Sequence, residues 1–539
     1  MFRFLVACAL LLQAAAKGSW NSTLIENGLI TWTSSQGEIL EENLTLTGSI
    51  PEWLTGSYFR NGPGRFDVGP GNSGQRVNAI FDGYSVIHKV NFKTRTRISK
   101  FVSSPRYQSL LKRNDMNYQG KIMMGTTPRR KENKLNVFNL GGEVNVNFIN
   151  VSGHILAVGE LPYGMEIDPT DLKTVEGTDK NAFFKYDDDI SELGVGCAHP
   201  VKLKNGDIIS KTSTIPLTSV GLKSNYNIIK IAKGGTKREV VATLSKVEGG
   251  ITYAHSFAVP SSRYAVLPFW PLRLAKTSVL LDSNLRDAMS WKPEDGTNVT
   301  VIDMELGTAI TFRCSEVFFG FHFINSWVDE ITGDIYADLV AFPDDRVFHS
   351  MTLERYRNGS GIDNTLLGGP IKRIRMSMSS QTTEGVDHIT GANGTVSKVR
   401  LADEIAHVSL ISKHLIEVPR INDEMLMNGK YNYVWGFYST RSKNYPNAIA
   451  KINVNDGSAL LWTDANDEFG VFVGEPVFVP RVWGKDDEDD GVVIAFCLHL
   501  KTSRAFVVVV DAKSMKELGR LVSPNAPITF GFHTSYFSE

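Results

Sequence analysis

The sequence predicts an all-β protein, on three observations. Most of the chain after residue 134 consists of short apolar runs, each about as long as a strand. Turn residues separate these runs, and the 47 glycines and 21 prolines are spread along the length. Convincing amphipathic helical periodicity is rare. The runs predicted as strands include KLNVFNL, VNVNFINVS, HILAVGEL, DIISKTST, NIIKIAK, EVVATLS, YAVLPFW, NVTVIDM, IYADLVAF, AIAKINV, SALLWTD, GVVIAFCL, RAFVVVVDA and KELGRLVSP.

Many short strands at regular spacing are typical of a sandwich, a barrel or a propeller. Sandwiches and barrels rarely need so many strands in one domain, whereas a propeller uses four strands in each blade. The count therefore favours a propeller. No repeated blade signature such as a Trp-Asp pair is present, so the pattern does not give the number of blades.

Composition restricts the class of protein. The chain has 539 residues, of which 42% are hydrophobic and 21% charged, which predicts a large folded core. The 57 basic and 58 acidic residues give a net charge of -1. A general nucleic-acid binder would carry a basic surface, so we expect no nucleic-acid partner.

The N-terminus predicts a signal peptide over residues 1–16, followed by a single domain over residues 17–539. Arg3 precedes the apolar run FLVACALLLQAAA, which is too short to span a membrane and ends in small residues that suit cleavage. We therefore expect a secreted or lumenal glycoprotein. Candidate glycosylation sequons occur at Asn21, Asn43, Asn150, Asn298, Asn358 and Asn393. The three later cysteines are too few for a disulfide scaffold.

Two charged stretches are interpreted as surface. Residues 101–133 mix leucine and methionine with many cations, which favours a solvated loop, with contact to lipid headgroups as the alternative. The acidic run DDEDD at 486–490 precedes a strand and is predicted to be a solvated turn. It lacks the regular spacing of a calcium loop.

Residues 318–339, FFGFHFINSWVDEITGDIYADL, predict a strand, a turn and a second strand. His322 lies inside the first apolar run, where an unpaired imidazole would be costly. Taken alone, it is more often a core histidine bonded to a backbone carbonyl. Three further histidines have similar settings: His199 in CAHPVKLKNGDII, His255 in ITYAHSFAVP and His533 in PITFGFHTSYF.

These four histidines are far apart in the sequence, and neither HExxH nor CxxC is present. Distant ligands of one type are consistent with a site on a symmetry axis to which several blades each deliver one residue. Four neutral imidazoles suit iron, copper or zinc. Without a local motif, the residue pattern leaves both the ligand set and the metal open.

The sequence nevertheless resembles a known family, the carotenoid cleavage oxygenases, from about residue 48 to the C-terminus. The resemblance is carried by GSYFRNGPGRF, FDGYSVIHKV, AHPVKLKNGDI, YAHSF, FHFIN, HLIEVPRIN, EPVFVPR with the following EDDGVV, and ITFGFH, in this order. It implies a seven-bladed β-propeller with Fe(II) on its axis under a cap of loops and helices. It also implies that the iron is held by His199, His255, His322 and His533.

The resemblance further implies that Glu160, Glu417 and Glu475 accept hydrogen bonds from three of the ligand imidazoles. This agrees with the usual chemistry of a ligating histidine, whose second N–H is held by a carboxylate or a carbonyl. Taken alone, each glutamate would be interpreted as an exposed charge at a strand end.

The function implied is that of a non-haem Fe(II) dioxygenase. Its substrates would be dioxygen and a carotenoid or apocarotenoid, whose conjugated double bond is cleaved to aldehyde or ketone products, with conversion of beta-carotene to retinal as one candidate. One alternative is a retinyl-ester isomerohydrolase that uses the same iron as a Lewis acid. Another is a secreted propeller that binds carotenoid or lipid without turnover. Peripheral membrane contact is a further expectation from relatives.

Overall fold

The computed structural model describes residues 29–35, 37–68, 74–114, 124–127, 143–175, 183–188, 190, 194–214, 224–247, 250–274, 285–358, 366–378, 388–391, 396–402, 404–440, 445–464, 470–481, 487–524 and 528–538. The predicted signal peptide over residues 1–16 lies outside this range. The single domain predicted over residues 17–539 stays a prediction.

The described residues form mainly antiparallel sheets built from strands that are adjacent in sequence. One sheet has seven strands, in the order Phe323–Val328, Ile335–Val340, Gly369–Met376, His407–Arg420, Tyr433–Tyr438, Ala448–Asn453 and Ala459–Thr463. A nine-stranded sheet has the order Val201–Lys202, Ile208–Thr214, Ser224–Ile231, Arg238–Val247, His388–Gly391, Val396–Leu401, Thr308–Arg313, Asn298–Asp303 and Tyr264–Phe269.

Two further sheets contain strands from both ends of the chain. The first has the order Ile39–Asn43, Thr96–Phe101, Tyr84–Asn91, Ser57–Arg65 and Thr534–Phe537. The second has the order Thr45–Gly48, Glu517–Val522, Arg504–Asp511, Gly491–His499 and Val471–Val473, with Val477–Pro480 also paired to Gly491–His499. Pairing early strands with late ones joins the two ends of the described chain by backbone hydrogen bonds.

The remaining described strands form small sheets: Gly164–Glu166, His154–Val158 and Asn147–Val151; Leu272–Leu274 and Met289–Trp291; Arg76–Val77 and Thr126–Thr127. The helices are short: Leu29–Trp32, Ile80–Asp82, Pro293–Asp295 and Asp423–Met425 are 3-10 helices, and Pro105–Arg113, Leu285–Ala288, Arg346–Ser350 and Leu353–Asn358 are α-helices. None of the described helices combines the length and the apolar character that crossing a bilayer requires.

The strand, turn and strand predicted around His322 are confirmed. Phe323–Val328 and Ile335–Val340 pair antiparallel, with Val328 opposite Ile335. Alternation explains the pairing, because Ile335, Ala337 and Leu339 are all fully buried on one face. The backbone N–H of Val340 donates to the carbonyl of His322, which holds that histidine at the start of its strand.

The solvated loop predicted over residues 101–133 is wrong for its first part, which forms the helix Pro105–Arg113. Ser104 caps this helix, since its side chain accepts a hydrogen bond from the N–H of Tyr107. Proline occupies the first turn, and Asn114 ends the helix in the left-handed conformation. These local signals were present in the sequence.

The described part of the acidic run is a turn, as predicted, but two of its four residues are buried rather than solvated. Glu488 and Asp489 are each 5% exposed. Both carboxylate oxygens of Glu488 accept hydrogen bonds from the backbone N–H of Asn432. Asp489 accepts a hydrogen bond from Lys451 at 2.5 Å. The prediction failed because the partners of these two carboxylates are distant in the sequence: Asn432 directly precedes the strand Tyr433–Tyr438, and Lys451 lies in the strand Ala448–Asn453.

Replacing Asp489 with alanine is therefore expected to destabilise the fold by about 3–5 kcal/mol, because the ammonium of Lys451 would stay buried without its carboxylate. Denaturant unfolding of the purified chain measures this loss. Asp490→Ala is the matched control, since Asp490 pairs with Arg481 at the surface, and it should cost about 0–1 kcal/mol. Equal losses in the two variants would contradict the importance of the buried pair.

Candidate metal centre

Four histidines from distant parts of the chain converge on one point. Each lies in a connection next to strands rather than in the middle of one. One potential ligand nitrogen from each imidazole can be chosen so that all four lie within 4.8 Å of one another. The four are His199, His255, His322 and His533.

The neighbouring strands explain how these residues are held. His533 precedes Thr534–Phe537, and its backbone N–H donates to the carbonyl of Val146 while its own carbonyl accepts from Asn61. His255 is 5% exposed and His533 3% exposed. The inner ends of several sheets therefore deliver the imidazoles to a site that is largely closed to water.

The separations between ring nitrogens are short. Nε2 of His199 lies 2.8 Å from Nε2 of His255, and Nε2 of His322 lies 3.4 Å from Nε2 of His533. Two nitrogens that each bind one ion at about 2.1 Å are at most about 4.2 Å apart. The cluster thus has nearly the dimensions that a single transition-metal ion requires.

Three carboxylates contact Nδ1, the ring nitrogen that faces away from the centre, in three of the four imidazoles. Nδ1 of His255 lies 2.5 Å from Glu160, Nδ1 of His322 lies 2.6 Å from Glu417, and Nδ1 of His533 lies 2.9 Å from Glu475. An ionised carboxylate can only accept hydrogen bonds, so each of these three rings carries its proton on Nδ1. Their Nε2 atoms then present lone pairs toward the centre.

The proton positions on the imidazoles show whether the residues suit a metal ion. With Nδ1 protonated on both rings, Nε2 of His322 and Nε2 of His533 face each other at 3.4 Å with no hydrogen between them. Two lone pairs at that separation repel unless a cation lies between them. The four-imidazole set therefore fits a bound metal ion, and neutral imidazole is a preferred ligand of iron, copper and zinc.

Burial keeps three of the four imidazoles neutral, those of His199, His255 and His533. It lowers the pKa of His199 well below its ordinary value, and the neighbouring imidazoles lower it further. Burial lowers the pKa of His533 to about 4, against the opposing effect of Glu475. For His255 burial likewise outweighs Glu160 and lowers the pKa. Neutral rings are the form that binds a metal.

In contrast to the neutral imidazoles, the carboxylates of Glu160 and Glu475 are held in their charged form. Burial alone would raise the pKa of Glu160, but the hydrogen bonds from His255 and Tyr253 outweigh it and leave the pKa below its ordinary value. Burial would also raise the pKa of Glu475, and there the nearby His533 and Arg420 lower it. Both carboxylates are therefore ionised at neutral pH and act as acceptors.

Further residues that the sequence interpretation missed support these carboxylates. The hydroxyl of Tyr253 donates to the same oxygen of Glu160 that holds His255, at 2.7 Å. Thr534 donates to Glu475 from its backbone N–H at 2.6 Å and from its hydroxyl at 2.7 Å. Tyr253 lies two residues before His255, and Thr534 directly follows His533. Their position next to a candidate ligand histidine is the sequence feature that could have indicated their role.

All seven residues singled out from the sequence thus lie at this centre: four imidazoles meet, and three carboxylates contact the outer nitrogens of three of them. The remaining imidazole, His199, packs edge to face against its three neighbours, with ring centroids 4.3–4.9 Å apart. The chemistry of this donor set is that of a metal bound by neutral ligands inside a carboxylate shell.

The chain is similar to proteins of known activity along nearly its whole length. The family model described as retinal pigment epithelial membrane protein matches residues 32–538. The chloroplastic carotenoid cleavage dioxygenase 8 of Arabidopsis thaliana is 28% identical over 531 residues, covering 94% of this chain and 85% of that protein. The mitochondrial carotenoid-cleaving dioxygenase of Homo sapiens is 26% identical over 530 residues, covering 91% and 87%.

Among solved structures, cobalt-substituted Synechocystis apocarotenoid oxygenase superimposes with a TM-score of 0.74 at 20% identity. The match covers 96% of this chain and 99% of that one. A likeness at this identity shows the fold, and the predicted all-β propeller is confirmed.

The predicted secreted or lumenal location is wrong. The relatives above are chloroplastic and mitochondrial proteins. The prediction rested on one cation before a short apolar run, and that composition does not identify the receptor that reads a targeting segment. The predicted glycosylation of the sequons depended on the secretory route, so it is no longer supported. The alternative of a secreted binder without turnover loses its basis too, because these relatives are dioxygenases.

The family match spans nearly the whole chain, the relatives in two kingdoms are cleavage dioxygenases, and the propeller carries a four-histidine centre. The chain therefore belongs to the retinal pigment epithelial membrane protein family of carotenoid cleavage oxygenases and is an oxygenase.

Proposed function

We propose that this protein binds ferrous iron through His199, His255, His322 and His533, and that it uses dioxygen to cleave a conjugated double bond of a carotenoid or apocarotenoid. The products would be two carbonyl compounds, with beta-carotene to retinal as a candidate reaction. The observation that carries the proposal is the set of four convergent imidazoles, two of which present ring nitrogens to each other at 3.4 Å. Ferrous iron, when bound, supplies the redox chemistry with dioxygen that no amino-acid side chain provides.

The residues of the chain have three tasks in this reaction. Glu160, Glu417 and Glu475 hold three ligand rings in one tautomer and one orientation. Tyr253 and Thr534 hold two of those carboxylates in turn. These contacts fix the ligand rings from their outer side, which preorganises them for binding a metal.

The third task is the exclusion of water. Phe321 packs edge to face against His255, with ring centroids 5.9 Å apart, and is 4% exposed. Phe532, next to His533, stacks on Phe81 at 4.9 Å. Aromatic walls of this kind suit an apolar polyene and keep side reactions with water low. The reaction needs no proton-abstracting triad.

The test is product analysis with isotopic dioxygen. The chain is purified without oxygen, its iron is quantified, and it is incubated with beta-carotene and with several apocarotenoids under ¹⁸O₂. We expect about one iron per chain and two carbonyl products, each labelled from dioxygen when exchange with water is suppressed. Iron-loaded protein that leaves every carotenoid intact would contradict the proposal.

The retinyl-ester isomerohydrolase alternative uses the same four histidines and is supported by the family description, which names a protein of the retinal pigment epithelium. Its products differ: a retinol isomer and a free fatty acid would form without dioxygen. Incubation of the same preparation with retinyl ester under nitrogen distinguishes the two reactions.

Peripheral membrane contact stays a prediction. The helix Pro105–Arg113 supports it, because Leu111 is 53% exposed beside two cations in the last turn. An exposed apolar side chain flanked by basic ones is typical of segments that lie on anionic lipid surfaces.

A further inference from the structure

Ser256, the residue that directly follows His255, contacts the chain on both sides of His322. Its hydroxyl donates to the carbonyl of Phe321 at 2.6 Å and accepts from the backbone N–H of Phe323 at 3.0 Å. One side chain thus joins the segment of one candidate ligand to both peptide neighbours of another. Ser256 is 5% exposed, so water competes little for these bonds.

The strand beside His322 explains why this hydroxyl is needed. Phe323–Val328 is the end strand of the seven-stranded sheet, so only one of its edges pairs with another strand of that sheet. On the paired edge, the carbonyl of His322 accepts from the N–H of Val340. The carbonyl of Phe321 and the N–H of Phe323 are directed to the serine hydroxyl instead. Buried backbone groups require partners, and this one side chain supplies both.

The segment that carries His255 is not part of a strand ladder either. It lies between isolated bridges at Thr252 and at Ala258 rather than inside a strand. A connection of this kind has few backbone hydrogen bonds to fix its position. The hydroxyl of the next residue therefore adds a fixed point that a ladder would otherwise supply.

The two ligand rings that are joined in this way lie close together. The ring centroids of His255 and His322 are 4.9 Å apart, and the ring planes are nearly perpendicular, at 86°. Glu160 and Glu417 hold the outer nitrogens of these two rings. Each carboxylate fixes the orientation of its own ring, whereas a contact between the two segments fixes the distance between the rings.

We propose that Ser256 is a positioning residue of the metal centre and sets the separation of His255 and His322 by holding the peptide groups on either side of His322. Metal–ligand distances vary by only about 0.2 Å in a well-formed site, so a small displacement of one segment weakens binding. This inference rests on the proposed metal binding and adds to it the means by which two of the ligands are spaced.

Ser256→Ala removes the hydroxyl and leaves the four imidazoles and their carboxylates in the chain. Its affinity for ferrous iron, measured by chelator competition under nitrogen, is expected to fall at least about tenfold, as is typical for residues that orient ligands. The cobalt(II)-loaded chain gives a second readout, because its visible absorption depends on ligand geometry. We expect the absorption bands of Ser256→Ala to be shifted from those of the native chain.

Two further substitutions of Ser256 identify the hydroxyl as the cause. Ser256→Thr keeps a hydroxyl at the same position, so it should bind iron more tightly than Ser256→Ala and close to the native chain. Ser256→Cys keeps a side chain of similar shape but forms weaker hydrogen bonds, so it should bind iron less tightly than Ser256→Thr. The comparison of cysteine with threonine serves as the test if the alanine variant does not fold.

Ser412→Ala is the matched control. Ser412 is 3% exposed, and its hydroxyl makes the same two kinds of bond, to the carbonyl of Gly457 at 2.9 Å and from the N–H of His414 at 3.4 Å. Neither partner belongs to the metal centre. Both alanine variants should lower the unfolding temperature of the metal-free chain, but only Ser256→Ala should lose metal affinity.

The proposal is overturned if Ser256→Ala has the iron affinity and the cobalt spectrum of the native chain, or if Ser412→Ala loses as much affinity as Ser256→Ala. It is also overturned if threonine at position 256 loses as much affinity as alanine or cysteine does. A native chain that binds neither iron nor cobalt is a different result, which contradicts the proposed function itself and this inference with it.

Discussion

Replacing His322 with alanine is expected to abolish iron binding and carotenoid cleavage together. The change removes one of four ligand nitrogens and leaves the carboxylate of Glu417, which is 6% exposed, without its imidazole donor. Loss of a partner outside the ligand set typically costs 10–100-fold in metal affinity, so loss of a ligand should exceed about 100-fold. Elemental analysis after gel filtration and product chromatography measure the two effects.

The control is His407→Ala, because His407 is exposed on the strand that also carries Glu417. It should bind iron and cleave carotenoid as the native chain does. Circular dichroism shows whether each variant is folded. A folded His322→Ala chain that keeps a full complement of iron would mean that this imidazole is a core residue and that the metal, if any, is held elsewhere.

Replacement by glutamine is expected to weaken iron binding much more at Glu475 than at Glu417, although the sequence does not distinguish these two glutamates. Both oxygens of Glu475 accept hydrogen bonds, one from His533 and the other from the backbone N–H and the hydroxyl of Thr534. A glutamine at this position must turn its NH₂ group toward one of these donors. We expect Glu475→Gln to weaken iron binding about 10–100-fold.

Glu417 offers a matched comparison. One of its oxygens accepts from His322 and from the backbone N–H of Val418, whereas Oε1 has no hydrogen-bond partner among the described residues. Glutamine can place its carbonyl oxygen toward His322 and its NH₂ group on the unpartnered side. It loses only the contribution of the charge to that bond, so Glu417→Gln should weaken iron binding less than about tenfold.

Iron affinity is measured by competition with a chelator under nitrogen, which makes the result independent of turnover. The order of the two variants is the decisive outcome. If Glu417→Gln loses as much iron as Glu475→Gln, the negative charge rather than the hydrogen-bond pattern supports the ligand rings.

Local features of the fold were predictable because their causes lie within a few residues. The pairing of Phe323–Val328 with Ile335–Val340 follows from apolar alternation around a turn. The helix Pro105–Arg113 has a local start signal in Ser104 and Pro105, but the cation-rich composition of the segment favours a loop and obscures it. The burial of Glu488 and Asp489 had no local cause at all, because their partners lie more than 35 residues away.

The candidate centre, like the burial of Glu488 and Asp489, depends on residues that are distant in the sequence. The four histidines are 56, 67 and 211 residues apart, which matches no spacing rule, and only the resemblance of the surrounding motifs to a known family predicts that they form one site.

By itself, the sequence determined the class of this protein: alternating apolar runs specify strands, and the order of its motifs specifies the family. The tertiary structure shows which ring nitrogens face one another and which carboxylate oxygens accept hydrogen bonds. The physical reason is that strand formation depends on neighbours along the chain, whereas lone-pair direction, proton position and burial depend on residues brought together from opposite ends of it.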